Sequence, residues 1–219
     1  MDIKNNLSVP IHTLKAAKSI VGGWTVTSKM PTISYSLPAE ECKTGSKLRE
    51  IKDTVCSDCY AMKGNYVRYR KAIKPAMYKR LRSINNPSWV DAMVYIMKNQ
   101  KSVVNSGVFR WHDSGDIQSP DHLDKIIRIA IATPDIRHWL PTKESNWIQK
   151  YNKHIPKNLV IRLSGTFVDG KIPIWRCNTS TVVTDKDEAT CRAFENDGKC
   201  GDCRQCWDAA IKNVAYFKH

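Results

Sequence analysis

The chain has 219 residues with 42% hydrophobic content, enough for one packed domain with at most a small appendage. Its formal net charge is +14, from 35 Lys and Arg against 21 Asp and Glu, which suits a polyanionic partner. It lacks the run of about 18 apolar residues that spans a membrane, and its N-terminus, MDIKNNLSVPIHTLKAAK, lacks the apolar h-region of a secretory signal. A cytoplasmic protein with reduced thiols is therefore expected, and its eight cysteines read as metal ligands rather than disulfides.

In chain order, the first strand signal is Thr32–Leu37 (TISYSL), an alternating run that leads into Cys42, Cys56 and Cys59, spaced C-x13-C-x2-C. From Tyr60 to Val90 there is no acidic residue. That window holds Lys63, Arg68, Arg70, Lys71, Lys74, Lys79, Arg80 and Arg82 among Tyr60, Tyr66, Tyr69 and Tyr78, a pattern suited to phosphate contact with base stacking. The same pattern also fits a solvated helix face. It predicts a basic helix over Tyr66–Ile84, bent or interrupted at Pro75. A second helix, Ser88–Lys98, opens on a capping box of Ser88 and Asp91. The strand Val108–His112 runs into Asp113-Ser114-Gly115-Asp116. Ser119 and Pro120 then start a helix that reaches about Ala132. The strand Arg137–Leu140 runs into Pro141-Thr142-Lys143-Glu144, followed by a short helix, Ser145–Tyr151. The strand Leu159–Leu163 ends at Ser164-Gly165, and Thr181–Thr184 is a weaker strand candidate. Cys191, Cys200, Cys203 and Cys206 close the chain as C-x8-C-x2-C-x2-C.

Strands alternating with helices predict an α/β fold with a parallel sheet of four to five strands, either a partial (β/α) barrel or an open sheet. Residues 1–29 read as an N-terminal extension, 30–175 as the core with the first cysteine set, and 176–219 as a Cys-rich metal-binding segment. In such folds the carboxyl ends of the strands share one rim, where ligands bind. That rim is expected to gather the first cysteines, His112, Asp113, Asp116, Lys143, Glu144 and Ser164. The bland alternative is that each polar residue caps a helix or satisfies a local turn.

Four thiolates fit zinc, and the C-terminal set could be a zinc ribbon. C-x2-C-x2-C is also the run of bacterial ferredoxins, and three thiolates make a poor closed zinc site with no His within fifteen residues of them. Both sets are therefore expected to hold [4Fe–4S] clusters, with zinc as the alternative metal. Three thiolates leave one iron of a four-iron cluster open. Cys177 is open to three roles: a buried free thiol, the missing fourth ligand, or a redox partner. A separate possibility is a nuclease, with His112, Asp113, Asp116 and Glu144 on magnesium or manganese and Lys143 on a phosphate.

Met30–Lys63, MPTISYSLPAEECKTGSKLREIKDTVCSDCYAMK, resembles the opening of the bacteriophage gene product 88 family, and FRWHDSGDIQS, HWLPTKE and CGDCRQCW resemble its later segments. The resemblance covers roughly residues 28–208 and implies a phage or prophage source. A weaker one is to radical S-adenosylmethionine enzymes, which place three cluster-binding cysteines after the first strand of a partial barrel. It implies Cys42, Cys56 and Cys59 as cluster ligands. Ser114-Gly115-Asp116 is similar to the Gly-Gly-Glu segment that meets the cofactor amino group, and Arg162 and Ser164 would meet its carboxylate or ribose. The chain departs from the usual C-x3-C-x2-C spacing and has Asp58 where an aromatic residue normally stands. The expectation is a phage iron–sulfur enzyme using S-adenosylmethionine on a nucleic acid or other anionic substrate. Its rivals are a non-catalytic protein binding nucleic acid or a host protein, and the nuclease.

Overall fold

The computed structural model describes residues 11–218. Six strands form one sheet: β1 (Ser34–Tyr35), β2 (Val108–Trp111), β3 (Arg137–Thr142), β4 (Leu159–Val168), β5 (Asn178–Val183) and β6 (Asn213–Phe217). Their spatial order is the chain order, and each neighbouring pair is parallel. The order never reverses, so the sheet lacks the switch point of a doubly wound fold. Right-handed crossovers that always step the same way place their connections on one face.

Eight α-helices lie among the described residues: α1 (Leu14–Ile20), α2 (Lys43–Arg49), α3 (Gly64–Arg68), α4 (Arg70–Ser83), α5 (Trp89–Asn99), α6 (Lys101–Ser106), α7 (Pro120–Ala132) and α8 (Ser145–Lys150). Strand register sorts side chains into two faces. Tyr35, Phe109, Trp111, Leu140, Leu159 and Ile161 face outward and join the main apolar cluster with Trp89, Met93 and Ile96 of α5 and Leu123, Ile126 and Ile127 of α7. Burying each such side chain contributes roughly 1.5–3 kcal/mol. The connection 169–177 has no helix, yet Trp175 and Cys177 pack against this same outer cluster. The inner face carries Val108, Arg110, Trp139, Arg162 and Val214. Part of it is covered by the C-terminal segment, where Val108, Trp139 and Val214 cluster with Cys206 and Trp207.

Several expectations change. The sheet has six strands rather than four or five, because NVAYF after the cysteine segment supplies β6. In the described part of the N-terminal stretch, Ala17 and Val21 are fully buried in the main cluster. Residues 176–218 likewise belong to the sheet through β5 and β6. The basic helix is interrupted at Tyr69 (φ −105°, ψ 23°), and α4 runs through Pro75 near its start, where one ladder bond is lost. Ser88 makes no side-chain cap; Asn86 Oδ1 accepts from Ser88 N instead, at 2.9 Å. Ser119 caps α7 as expected, its Oγ accepting from His122 N at 3.1 Å with Pro120 first in the helix.

Candidate metal centres and active site

β1 covers two residues, and the chain then runs through a 3-10 turn at Ala39–Glu41 into the cysteine loop. Cys42 sits at the start of α2, and Cys56 and Cys59 precede a 3-10 turn at Tyr60–Met62. All eight cysteines are free thiols. Gly45 of α2 stands between two sulfurs: a Cβ there would lie 3.5 Å from Cys56 Sγ and 3.6 Å from Cys42 Sγ. Burial pushes the Cys42 thiol far up, with Asp116 and the other two thiols adding to it. Burial also raises Cys56, opposed first by Lys143.

The strand ends close around this set. Asp116 accepts from Thr142 Oγ1 (2.7 Å), Lys143 N (2.8 Å) and Ile117 N (2.7 Å). Burial outweighs these donors and pushes its carboxyl up to about 6. Lys143 Nζ donates to Gly165 O at 2.6 Å and lies near Ser164 O at 3.5 Å. Burial lowers its pKa, while the Cys56 sulfur and Asp116 pull the other way. Glu144 accepts from Thr44 N and Thr44 Oγ1, both at 2.8 Å, and so fastens the first turn of α2 to the end of β3.

Other expected site residues serve the chain itself. Asp113 accepts from Ser34 Oγ (2.6 Å) and Tyr66 OH (3.1 Å), and its carbonyl accepts from Tyr60 OH. Ser114 Oγ donates to Leu37 O at 2.9 Å. Gly115 (φ +81°) lies so close to Leu37 that a Cβ would come within 2.6 Å of Leu37 Cβ, so no other residue fits there. His112 is buried, with Nδ1 3.2 Å from Tyr35 O and Nε2 without a partner. Burial drops it to about 4. Ser164 Oγ accepts from Ser180 Oγ at 3.4 Å. No group of three or more His, Cys, Asp or Glu side chains among the described residues is placed to hold one metal ion. That holds equally for Cys42, Cys56 and Cys59, for Cys191, Cys200, Cys203 and Cys206, and for His112, Asp113, Asp116 and Glu144.

Arg162 differs most from expectation. It is fully buried, and its guanidinium donates to the carbonyls of Cys206, Thr179, Ile211, Gln205 and Asp208 at 2.8–3.2 Å. With its donors engaged by the backbone, it is a structural hub and has none free for a cofactor carboxylate. That hub shapes the second cysteine set. Cys206 lies behind Tyr216, whose hydroxyl is 3.2 Å from its sulfur. Cys191 N donates to Ala215 O, and Cys200 N to Lys29 O. Trp207 Nε1 donates to Phe109 O at 2.8 Å and pins the segment to β2. Burial raises the Cys191, Cys200 and Cys206 thiols, the last to about 11.

Thiolate donors are common to zinc and iron–sulfur sites, and the two sets differ in number, three in the first and four in the second. Four sulfurs at about 2.3 Å from one zinc stand roughly 3.8 Å apart, whereas a cuboidal cluster gives each thiolate its own corner iron and needs a wider set. Burial raises Cys206, partly opposed by its bond with Tyr216 and by Arg110 and Arg162. Cys177 packs against the outer cluster just before β5 and is a half-buried thiol there.

On the surface, Arg68, Arg70, Lys71, Lys74, Lys79 and Arg82 are exposed along α3 and α4, with Lys74 paired to Glu40 at 2.9 Å. Arg80 is not among them. It is buried, and donates to Ser36 O (2.6 Å) and Ser36 Oγ (2.8 Å). A cleft of about 450 Å³ opens beside the cysteine loop, lined by Lys52, Asp58, Asp169 and Lys218 among others. Thr44, Gly45 and Arg110 were missed as site residues. Gly45 had a visible signal, a glycine inside an otherwise helix-forming stretch after Cys42. Among the described residues no helix is long and apolar enough to cross a membrane.

The sequence pattern of a family described as gene product 88 matches residues 7–209. No curated protein and no solved structure matches the chain.

Proposed function

The chain belongs to the gene product 88 family, and from the placement of its cysteines we propose a phage iron–sulfur enzyme of radical S-adenosylmethionine type that acts on a nucleic acid or another polyanion. One observation carries this reading. Cys42 and Cys56 flank Gly45 in the loop after β1, with Cys59 in the same loop, while Cys177 packs against the main apolar cluster just before β5.

Bound by Cys42, Cys56 and Cys59, a four-iron cluster would supply one electron and an open iron for the amino and carboxylate groups of S-adenosylmethionine. The protein's own groups supply the rest. Lys143, held by Gly165 O, keeps a cation among the thiols and offers a partner to a carboxylate. Asp116, with its carboxyl near 6, can accept from an ammonium or hold a proton beside Cys42. Glu144 fixes the loop so that Cys42 does not drift. The exposed cations of α3 and α4 provide phosphate contacts, and Tyr60 stands between them and the rim with its ring exposed. Cys191, Cys200, Cys203 and Cys206, beside the Arg162 hub, would hold an auxiliary or structural centre.

The test is anaerobic reconstitution followed by iron and sulfide analysis, then incubation with S-adenosylmethionine and dithionite. About eight irons per chain are expected from two four-iron clusters, with 5′-deoxyadenosine formed by the wild type and not by Cys56→Ala. Iron without deoxyadenosine would instead favour the second reading, a non-catalytic protein that grips nucleic acid or a host protein. The structural enclosure of the second set supports that reading. Adding S-adenosylmethionine separates the two, since only an open cluster changes its electronic spectrum.

A further inference from the structure

We propose that the junction of α3 and α4 is a docking surface for single-stranded rather than duplex nucleic acid, with the ring of Tyr69 as its base-stacking platform. This rests on the polyanion part of the functional reading above and names the kind of polyanion. Tyr69 is the one residue between the two helices, at φ −105° and ψ 23°. Its backbone is fixed on both sides: its N–H donates to Asn65 O at 2.9 Å, and its carbonyl accepts from Ala72 N and Ile73 N, both at 3.0 Å. Its ring is 52% exposed. Tyr66 and Tyr78 of the same stretch are half-buried and donate to carboxylates, Tyr66 to Asp113 Oδ2 at 3.1 Å and Tyr78 to Glu41 Oε1 at 3.0 Å. Tyr60 also exposes its ring, but its hydroxyl is tied to Asp113 O. Tyr69 thus stands to solvent on a fixed turn, where a base can stack with little protein ordering to offset.

Cations surround that ring. Arg68 and Arg70 flank Tyr69 in the chain, Lys71 follows, and all three are exposed. The Arg68 guanidinium lies 5.5 Å from the Tyr69 ring centroid, so a phosphate-binding group adjoins the stacking surface. Further along α4, Lys79 and Arg82 are exposed, on the side away from the buried Met77 and Arg80. Among the described residues, Arg68, Arg70, Lys71, Lys79 and Arg82 form no ion pair, whereas Lys74 is held by Glu40. The surface therefore carries positive charge without a negative partner of its own, the complement of a phosphodiester backbone. Charge alone would favour a duplex, which packs one negative charge into every ~1.7 Å of its axis, about twice the density of one strand. An aromatic face acts the other way. Paired bases are stacked on each other and closed to it, whereas an unpaired base offers its own face. Tyr69 tips the choice toward the single strand.

The test is fluorescence anisotropy with a labelled single strand of about 12 nucleotides and the blunt duplex built from it. Wild type, Tyr69→Phe and Tyr69→Ala are compared over a range of salt concentrations. Wild type should bind the single strand more tightly than the duplex. Tyr69→Ala should lose roughly 5- to 150-fold in single-strand affinity, the equivalent of one stacked base, with its salt slope and duplex affinity unchanged. Tyr69→Phe should keep wild-type single-strand binding. Duplex binding equal to or tighter than single-strand binding in the wild type overturns the proposal whatever the variants do, and so does an unchanged single-strand affinity in Tyr69→Ala. A weaker Tyr69→Ala complex with a smaller salt slope also overturns it, since Tyr69 would then only position cations. Binding of neither form removes nucleic acid from the functional reading as well. Deoxyadenosine formation, which this assay does not require, tests the enzyme part of that reading separately.

Discussion

Replacing Gly45 by Ala separates the fold from the site. Gly45 is the third residue of α2, and alanine there gains roughly 0.5–1 kcal/mol of helix stability. Against this, the new methyl would sit 3.0 Å from Cys42 Cβ, closer than the ordinary carbon contact of about 3.5–4.0 Å. Cys42 must shift by a few tenths of an ångström, which costs on the order of 1 kcal/mol. The two effects nearly cancel, so Gly45→Ala should melt within a few degrees of the wild type. The consequence for the site is larger. The methyl enters the gap between the Cys42 and Cys56 sulfurs, at 3.6 and 3.5 Å, where a cluster face would lie. The second set is untouched, so iron should fall from about eight to about four per chain. Parallel iron, sulfide and thermal-melt measurements check this. A stable Gly45→Ala protein that keeps all its iron would refute the idea that this glycine holds room for a cluster.

Arg162→Met leaves five carbonyls without their donor and should cost about 3–5 kcal/mol. That corresponds to a fall of roughly 10 °C or more in Tm, read by tryptophan fluorescence; a change under about 1 kcal/mol would contradict the hub. Burial holds His112 near 4, His138 near 3 and His122 well below its usual value. All three stay neutral in the fold but gain protons when unfolded below about pH 6.5, so stability is present above that pH and is lost as pH falls toward 4. The slope is roughly 4 kcal/mol per pH unit for the three together, and denaturant melts that stay flat between pH 6.5 and 5 would disprove it. Glu144→Ala should release Thr44 and cost about 2 kcal/mol, with Cys42 alkylated faster; unchanged alkylation would mean the latch does not hold the loop. The double variant Arg70→Glu/Lys71→Glu should weaken binding to a labelled single-stranded oligonucleotide and reduce the log–log salt slope by about 2. An unchanged slope would place the polyanion elsewhere.

The strand candidates were legible because each is a short apolar run ending in polar residues, and five of the six strands lie where those runs fall. β6 was hidden because NVAYF follows a cysteine-rich stretch that reads as irregular. Position along strands was also legible: Asp116, Lys143 and Glu144 do meet the cysteine loop, since parallel strands carry their ends to one rim. The direction in which a long side chain points was not. Arg80 and Arg162 carry the composition signal of surface cations, yet each is buried against backbone carbonyls that belong to distant segments. A guanidinium with five donors can satisfy several carbonyls left over by irregular loops, and nothing local to the sequence announces those loops.

The acceptors that satisfy Arg162 come from residues 179–211, well downstream of β4. A ribosome has therefore already released the helical side of the sheet before that guanidinium can find its partners. During synthesis Arg162 lacks its acceptors until the segment through Ile211 emerges. A truncation that removes only the last few dozen residues should thus yield an insoluble product rather than a shorter working protein.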